Sequence, residues 1–190
     1  MNTQHEKLRM MLTAAVFAAI IGILAQVTIP LPLVPITGQT LAIGLAATIL
    51  GARYGTLSAL LYMLIGAVGL PVFSGMTGGM GVIFGPTGGY IVSFVFSAFF
   101  IGWYIEKTAA NIRHAFVANL IGMIINLSFG TAWLKVIAEL SWPEAFAAGF
   151  VPFIIGGIVK ALLAAWIGIQ VRKRLASVRL LPQSSQKHPA

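Results

Sequence analysis

Apolar residues fall in six long runs, separated by short polar or Gly/Pro-rich breaks. A helix that crosses the hydrocarbon core needs about 20 mostly apolar residues, within a range of about 17–25. The pattern predicts spans near 10–29, 37–50, 55–72, 90–105, 115–133 and 145–171. Pro30, Pro32 and Pro35 end the first, Gly51 closes the short second, Gly55 opens the third, and Pro152 interrupts the sixth near its start. Lys7 and Arg9 before the first run also resemble the basic start of a signal peptide. Its apolar length exceeds the ~7–15 residues of such a segment, and no clear small-x-small cleavage site follows, so it reads as a retained helix. The expected fold is all-α: a polytopic bundle of six transmembrane helices, one membrane domain over residues 1–181. A polar cytoplasmic tail, expected to be disordered, covers 182–190.

Composition supports lipid as the solvent. Of 190 residues, 58% are hydrophobic and 8% charged, against about 25% charged in ordinary soluble domains. A chain this short cannot hide so much apolar surface in an aqueous core. The absence of cysteine excludes disulfides and thiolate metal sites. A net charge of +8 could suggest nucleic acid, but the cations flank the apolar runs, as the positive-inside rule requires, so no nucleic-acid partner is expected. With both termini cytoplasmic, the inner segments hold Lys7, Arg9, Arg53, Lys107, Arg113, Arg172, Lys173, Arg174, Arg179 and Lys187. The outer side holds only Lys135, and Lys160 falls inside the sixth span. Pro30, Pro32, Pro35, Pro71, Pro86, Pro143 and Pro152 all fall on the outer side. Irregular backbone at membrane depth needs burial or a water-lined cavity. The outer face is therefore the elaborated one, which suits capture of something from outside the cell.

Lys160 is the sharpest candidate. A charge near the middle of a span costs at least about 2.5–3.5 kcal/mol on insertion scales. No span contains an acid to offset it, and Glu144, the nearest in sequence, lies about 24 Å away along a continuous helix. Lys160 is thus expected to face a polar cavity and to pair with a ligand carboxylate, rather than to snorkel along its helix. The stretch 74–90 holds seven glycines but lacks GxxxxGK[ST], so it is not a nucleotide cradle. Phe73, Val82, Ile83 and Phe84 are too apolar for a solvated linker. A packed lid follows, with Phe73 in its wall and Thr87 and Tyr90 as polar contributors. Thr37, Gln39 and Thr40 could hydrogen-bond an amide or ureido group, or cap the second helix. Asn126, mid-span, could be interhelical glue or a ligand contact. Ala14/Ala18 and Ala15/Ala19 form small-xxx-small pairs for close helix approach, within the chain or to another subunit. Histidines are scattered and no paired acids, HExxH or Ser/His/Asp set occurs, so neither an enzyme nor a metal or cofactor site is expected.

Taken together, IPLPLVPITGQTLA, LLYMLIGAVGLPVFSGMTGG, GPTGGYIVSF and PFIIGGIVKALLA resemble the BioY family, biotin-binding S components of energy-coupling factor (ECF) transporters, over about residues 10–172. The resemblance implies six helices with both termini inside a prokaryotic cell membrane, and biotin bound near the outer side. It implies Lys160 on the biotin carboxylate, with Thr37, Gln39 or Asn126 near the ureido ring. The alanine pairs would contact a transmembrane coupling subunit, and separate ATPase subunits would hydrolyse ATP. Members often carry an acid three residues before the lysine; here that position is Gly157. An S component for another anionic vitamin and a ligand-free membrane scaffold are the competing readings.

Overall fold

The structure, a computed structural model, describes residues 3–177. The expected tail and two inner cations, Arg179 and Lys187, lie outside the described residues. Helix α1 spans Thr3–Ala25, and strands β1 (Thr28–Ile29) and β2 (Ile36–Thr37) pair antiparallel across the proline-rich turn. Helix α2 spans Gln39–Ala67, α3 Met80–Ile83, α4 Gly88–Lys107 and α5 Ile112–Ile137. Helix α6 (Trp142–Gly149) and a 3-10 turn (Val151–Phe153) precede α7 (Ile154–Ser177). Among the described residues, five helical stretches are long and apolar enough to cross a membrane. Apart from the two-residue strands, the fold is all-helical.

Two predicted boundaries move for local reasons. The first helix stops at Ala25 rather than Ile29. The residue before a proline avoids the helical region, and the chain ahead of Pro30 turns into β1 instead. The sixth predicted span divides into α6 and α7, because Pro152 cannot continue a helix from the preceding turn. Helix α1 buries Met10, Ala14, Ala18, Ile21 and Ala25, a stripe at helical spacing that makes it part of the bundle.

The second and third predicted spans are the two halves of α2, broken at Gly51 (φ 81°, ψ −173°). The chain folds back there. A methyl group on Gly55 would meet Ala47 Cα at 2.6 Å, although eight residues of straight helix separate their ends by about 12 Å. Two charges cap the turn from neighbouring helices. Arg172 Nη1 donates to the carbonyls of Thr48 (2.9 Å) and Ile49 (3.3 Å), in the last turn of the first half. Glu106 Oε1 accepts from the Ala52 amide, the first of the second half, at 2.9 Å. A cation at a helix C-terminus and an anion at an N-terminus each complement the helix dipole. Met10 of α1 and Val171 and Leu175 of α7 pack with Ile49 and Leu50 at this same end. The opposite end carries the β-pair, the 68–87 connection and α6.

The backbone at Gly51 lies in a region open essentially only to glycine, and a Cβ there would collide with Glu106 Oε1. Gly51→Ala is predicted to lower stability by about 1–3 kcal/mol. Gly156→Ala, with open space around the added methyl, should be neutral or slightly stabilising. Thermal unfolding of the two detergent-solubilised variants checks this.

Candidate functional site

A cavity of about 380 Å³ lies between the first half of α2, α4, α5 and α7, bounded at one end by the 34–37 and 73–87 segments. Its volume is that of a small-molecule site, about 300–1,000 Å³ in general. Thr37, Gln39, Thr40, Phe73, Thr87, Tyr90, Asn126 and Lys160, all candidates from the sequence, line it. Ile43, Ile91, Phe94, Leu127 and Phe153 supply apolar wall.

Lys160 lies on α7, whose side chains lean toward the helix N-terminus. Its stem therefore runs toward the looped end, and Nζ donates to the Thr37 carbonyl at 3.0 Å. None of the four glutamates lines the cavity, and Lys160 has no carboxylate partner among the described residues. Thr37 is itself held. Its hydroxyl donates to Gln39 Oε1 (2.8 Å) and accepts from the Gln39 amide (3.3 Å). Gln39 Nε2 donates in turn to the Tyr62 hydroxyl. A relay Tyr62–Gln39–Thr37 thus fixes the carbonyl that receives the ammonium. Gln39 is buried, with both ends of its amide engaged inside the protein.

Asn126 is both glue and wall. Its Nδ2 donates to the Tyr90 carbonyl (3.0 Å) and to Ser93 Oγ (2.6 Å) on α4. Both amide hydrogens are used, and the carbonyl oxygen has no partner among the described residues. The Tyr90 hydroxyl donates to the Gly149 carbonyl at 2.7 Å, so Tyr90 offers the cavity its ring, set 6.2 Å from Phe153. Thr87 stands half-buried at the start of α4, where its side chain makes no capping bond. Phe73 is buried edge-on against Tyr62 at 5.5 Å. Gln26 pins this loop, donating to the Phe73 carbonyl (3.0 Å) and accepting from the Met76 amide (2.9 Å). The glycine-rich segment is therefore packed rather than a free linker.

Residues 1–177 match the BioY family. The chain belongs to the BioY family. It is 40% identical to biotin transporter BioY2 of Lactococcus lactis subsp. cremoris, covering 91% of this chain and 95% of that protein. It is 37% identical to biotin transporter BioY of Thermotoga maritima, covering 87% and 97%. Its fold matches the crystal structure of the S-component for biotin from an ECF-type ABC transporter at a TM-score of 0.82 and 31% identity, over 91% of this chain and 94% of that one. With its apolar helices, membership marks a multi-pass protein of the prokaryotic cell membrane.

This BioY cavity also contains Ser97 and Asn119, which the sequence reading missed. Asn119 Nδ2 donates to Thr48 Oγ1 (3.0 Å) and the Ala115 carbonyl (2.8 Å), and Ser97 Oγ donates to the Gly122 carbonyl (3.0 Å). A signal was present: Asn119, Gly122, Met123 and Asn126 share one helical stripe in an otherwise apolar run. Gly157 faces Met123, whose sulfur occupies the place of a Cβ there, so Met123 fills the space where a side chain would begin. The two alanine pairs of α1 part company: Ala14 and Ala18 are buried inside the bundle, whereas Ala15 and Ala19 are exposed. Among the described residues no group of three His, Cys, Asp or Glu could hold a metal ion.

Tyr62→Phe would strip the Gln39 amide of its buried acceptor. An unsatisfied buried group costs about 1–3 kcal/mol, and denaturation of the purified variant should show a stability loss of that size.

Proposed function

We propose that this chain is a biotin-binding S component of an ECF-type transporter, taking up biotin across the cell membrane. The observation that carries the reading is the single ammonium of Lys160 in a cavity without acids. Biotin offers one anionic group, its valerate carboxylate, and an ammonium held on a neutral carbonyl is its natural partner. The fused rings and alkyl chain suit walls built of Ile43, Ile91, Phe94 and Phe153. A ureido N–H would donate to the open carbonyl of Asn126. Gln39 and Thr37, expected beside the ureido ring, act instead by positioning Lys160, since the amide of Gln39 is already committed.

The bundle crosses the membrane six times with both termini cytoplasmic. Folding back at Gly51 divides α2 into two crossings, and the cation bias to the Gly51 end supports the orientation. The exposed Ala15 and Ala19 stripe on α1 is the contact for a transmembrane coupling subunit. Energy comes from separate ATPase subunits, because the chain has no P-loop motif. The chain itself carries no catalytic function and needs no cofactor.

Lys160→Ala removes a charge-assisted hydrogen bond, worth about 1.5–3 kcal/mol. Biotin affinity should fall by about 10–100-fold, measured by binding of radiolabelled biotin with competing vitamins. Unchanged affinity would remove the basis of the reading, and preferential displacement by a different vitamin would redirect it to another substrate.

A further inference from the structure

Helix α6 has an apolar face wider than the bundle covers. Ala145 and Gly149, four residues apart, are buried, and Gly149 packs against Tyr90 and Leu134. Trp142 and Phe146 lie beside them on the helix and are 53% and 45% exposed. With Phe150 they form an aromatic row, with centroid spacings of 6.1 and 5.5 Å. Lys135, at the end of α5, places Nζ 5.3 Å over the Trp142 ring. At 100° per residue Glu144 projects from the opposite side of the helix. It closes a capping box with Ser141, at 2.8 Å to the amide and 2.6 Å to the hydroxyl.

We propose that α6 is an interfacial helix whose partner is the phospholipid headgroup layer at the looped end of the bundle, and that this seating braces the cavity wall. The aromatic row is flanked in sequence by further exposed apolar residues, Val136 and Ile137 of α5 and Val151 and Ile155 at the entry to α7. Spanning helices turn such surface to lipid. Aromatic rings beside a cation at the end of a span are the composition of a membrane–water interface. Lys135 complements lipid phosphate, and Glu144 points to water, as in helices that lie in the interface plane. The brace is the bond from the Tyr90 hydroxyl to the Gly149 carbonyl, the last residue of α6. Tyr90 lines the cavity.

The native chain has no cysteine, so single spin labels are unique. Labels at Phe146→Cys and Glu144→Cys, in nanodiscs of phosphatidylcholine and phosphatidylglycerol, are compared for collision with oxygen and with a water-soluble nickel chelate. Trp142→Cys replaces Phe146→Cys if the latter misfolds. Oxygen should dominate at 146 and nickel at 144. Nickel dominance at 146 would place α6 in water, and protection from both reagents would mean a protein cover; either overturns the proposal. A second readout rests on biotin being the ligand. Trp142→Ser/Phe146→Ser should release biotin at least about fivefold faster than the native chain in the same nanodiscs. An unchanged rate overturns the brace. Absence of biotin binding by the native chain would overturn the biotin reading, while the label positions still decide the seating of α6.

Discussion

The hydrogen bond from Lys160 to the carbonyl of Thr37 is the interaction around which the rest of the structure is arranged. It ties the second turn of α7 to the strand that follows the proline-rich turn. It also satisfies a cation that hydrocarbon alone could not accommodate. All the help given to the ammonium is neutral. A carbonyl and the dipoles behind it offset part of the desolvation but leave the charge uncompensated. A buried charge without its counter-ion is costly, and an entering anion recovers that cost. The cavity is thus biased electrostatically toward one class of ligand before any shape is considered.

Two differently built ends hold that arrangement in place. At the Gly51 end, Arg172 and Glu106 cap the two half-helices of α2 with opposite charges, which lets a tight reversal survive near the membrane surface. At the other end, irregular backbone is satisfied by side chains. Gln26 reaches the 73–76 loop, Trp133 Nε1 donates to the Gly85 carbonyl at 3.0 Å, and Tyr90 reaches Gly149. Loop carbonyls and amides at membrane depth need such partners because lipid supplies none. The same bonds that make the loops possible therefore shape the cavity.

Much of this was legible in the sequence, because lipid enforces simple rules. Long apolar runs, flanking cations, the proline cluster and one lysine inside a span located the helices and the cavity's charged residue. Legibility failed where a role depends on distant partners. Nothing local shows that Gln39 spends its amide on Thr37 and Tyr62, the latter 23 positions away. The alanine pairs on α1 are indistinguishable as letters, yet packing buries Ala14 and Ala18 and exposes Ala15 and Ala19. Asn119 was overlooked because one polar residue in an apolar run is ordinary interhelical glue; its stripe with Gly122, Met123 and Asn126 becomes meaningful only once α5 faces a cavity. The sixth predicted run concealed α6, since apolar content does not distinguish a helix that crosses the membrane from one lying at its surface.

In the proposed function, charge held by Lys160 alone selects the ligand. The most direct test leaves the protein intact and changes the ligand. Calorimetry of the native chain with biotin and with biotinamide, which differ in the carboxylate and share the rings, isolates that one charge. Binding of the amide is expected to be at least about tenfold weaker, equivalent to about 1.4 kcal/mol. Equal affinities would contradict it, because the ammonium would then be recognising something other than the anion.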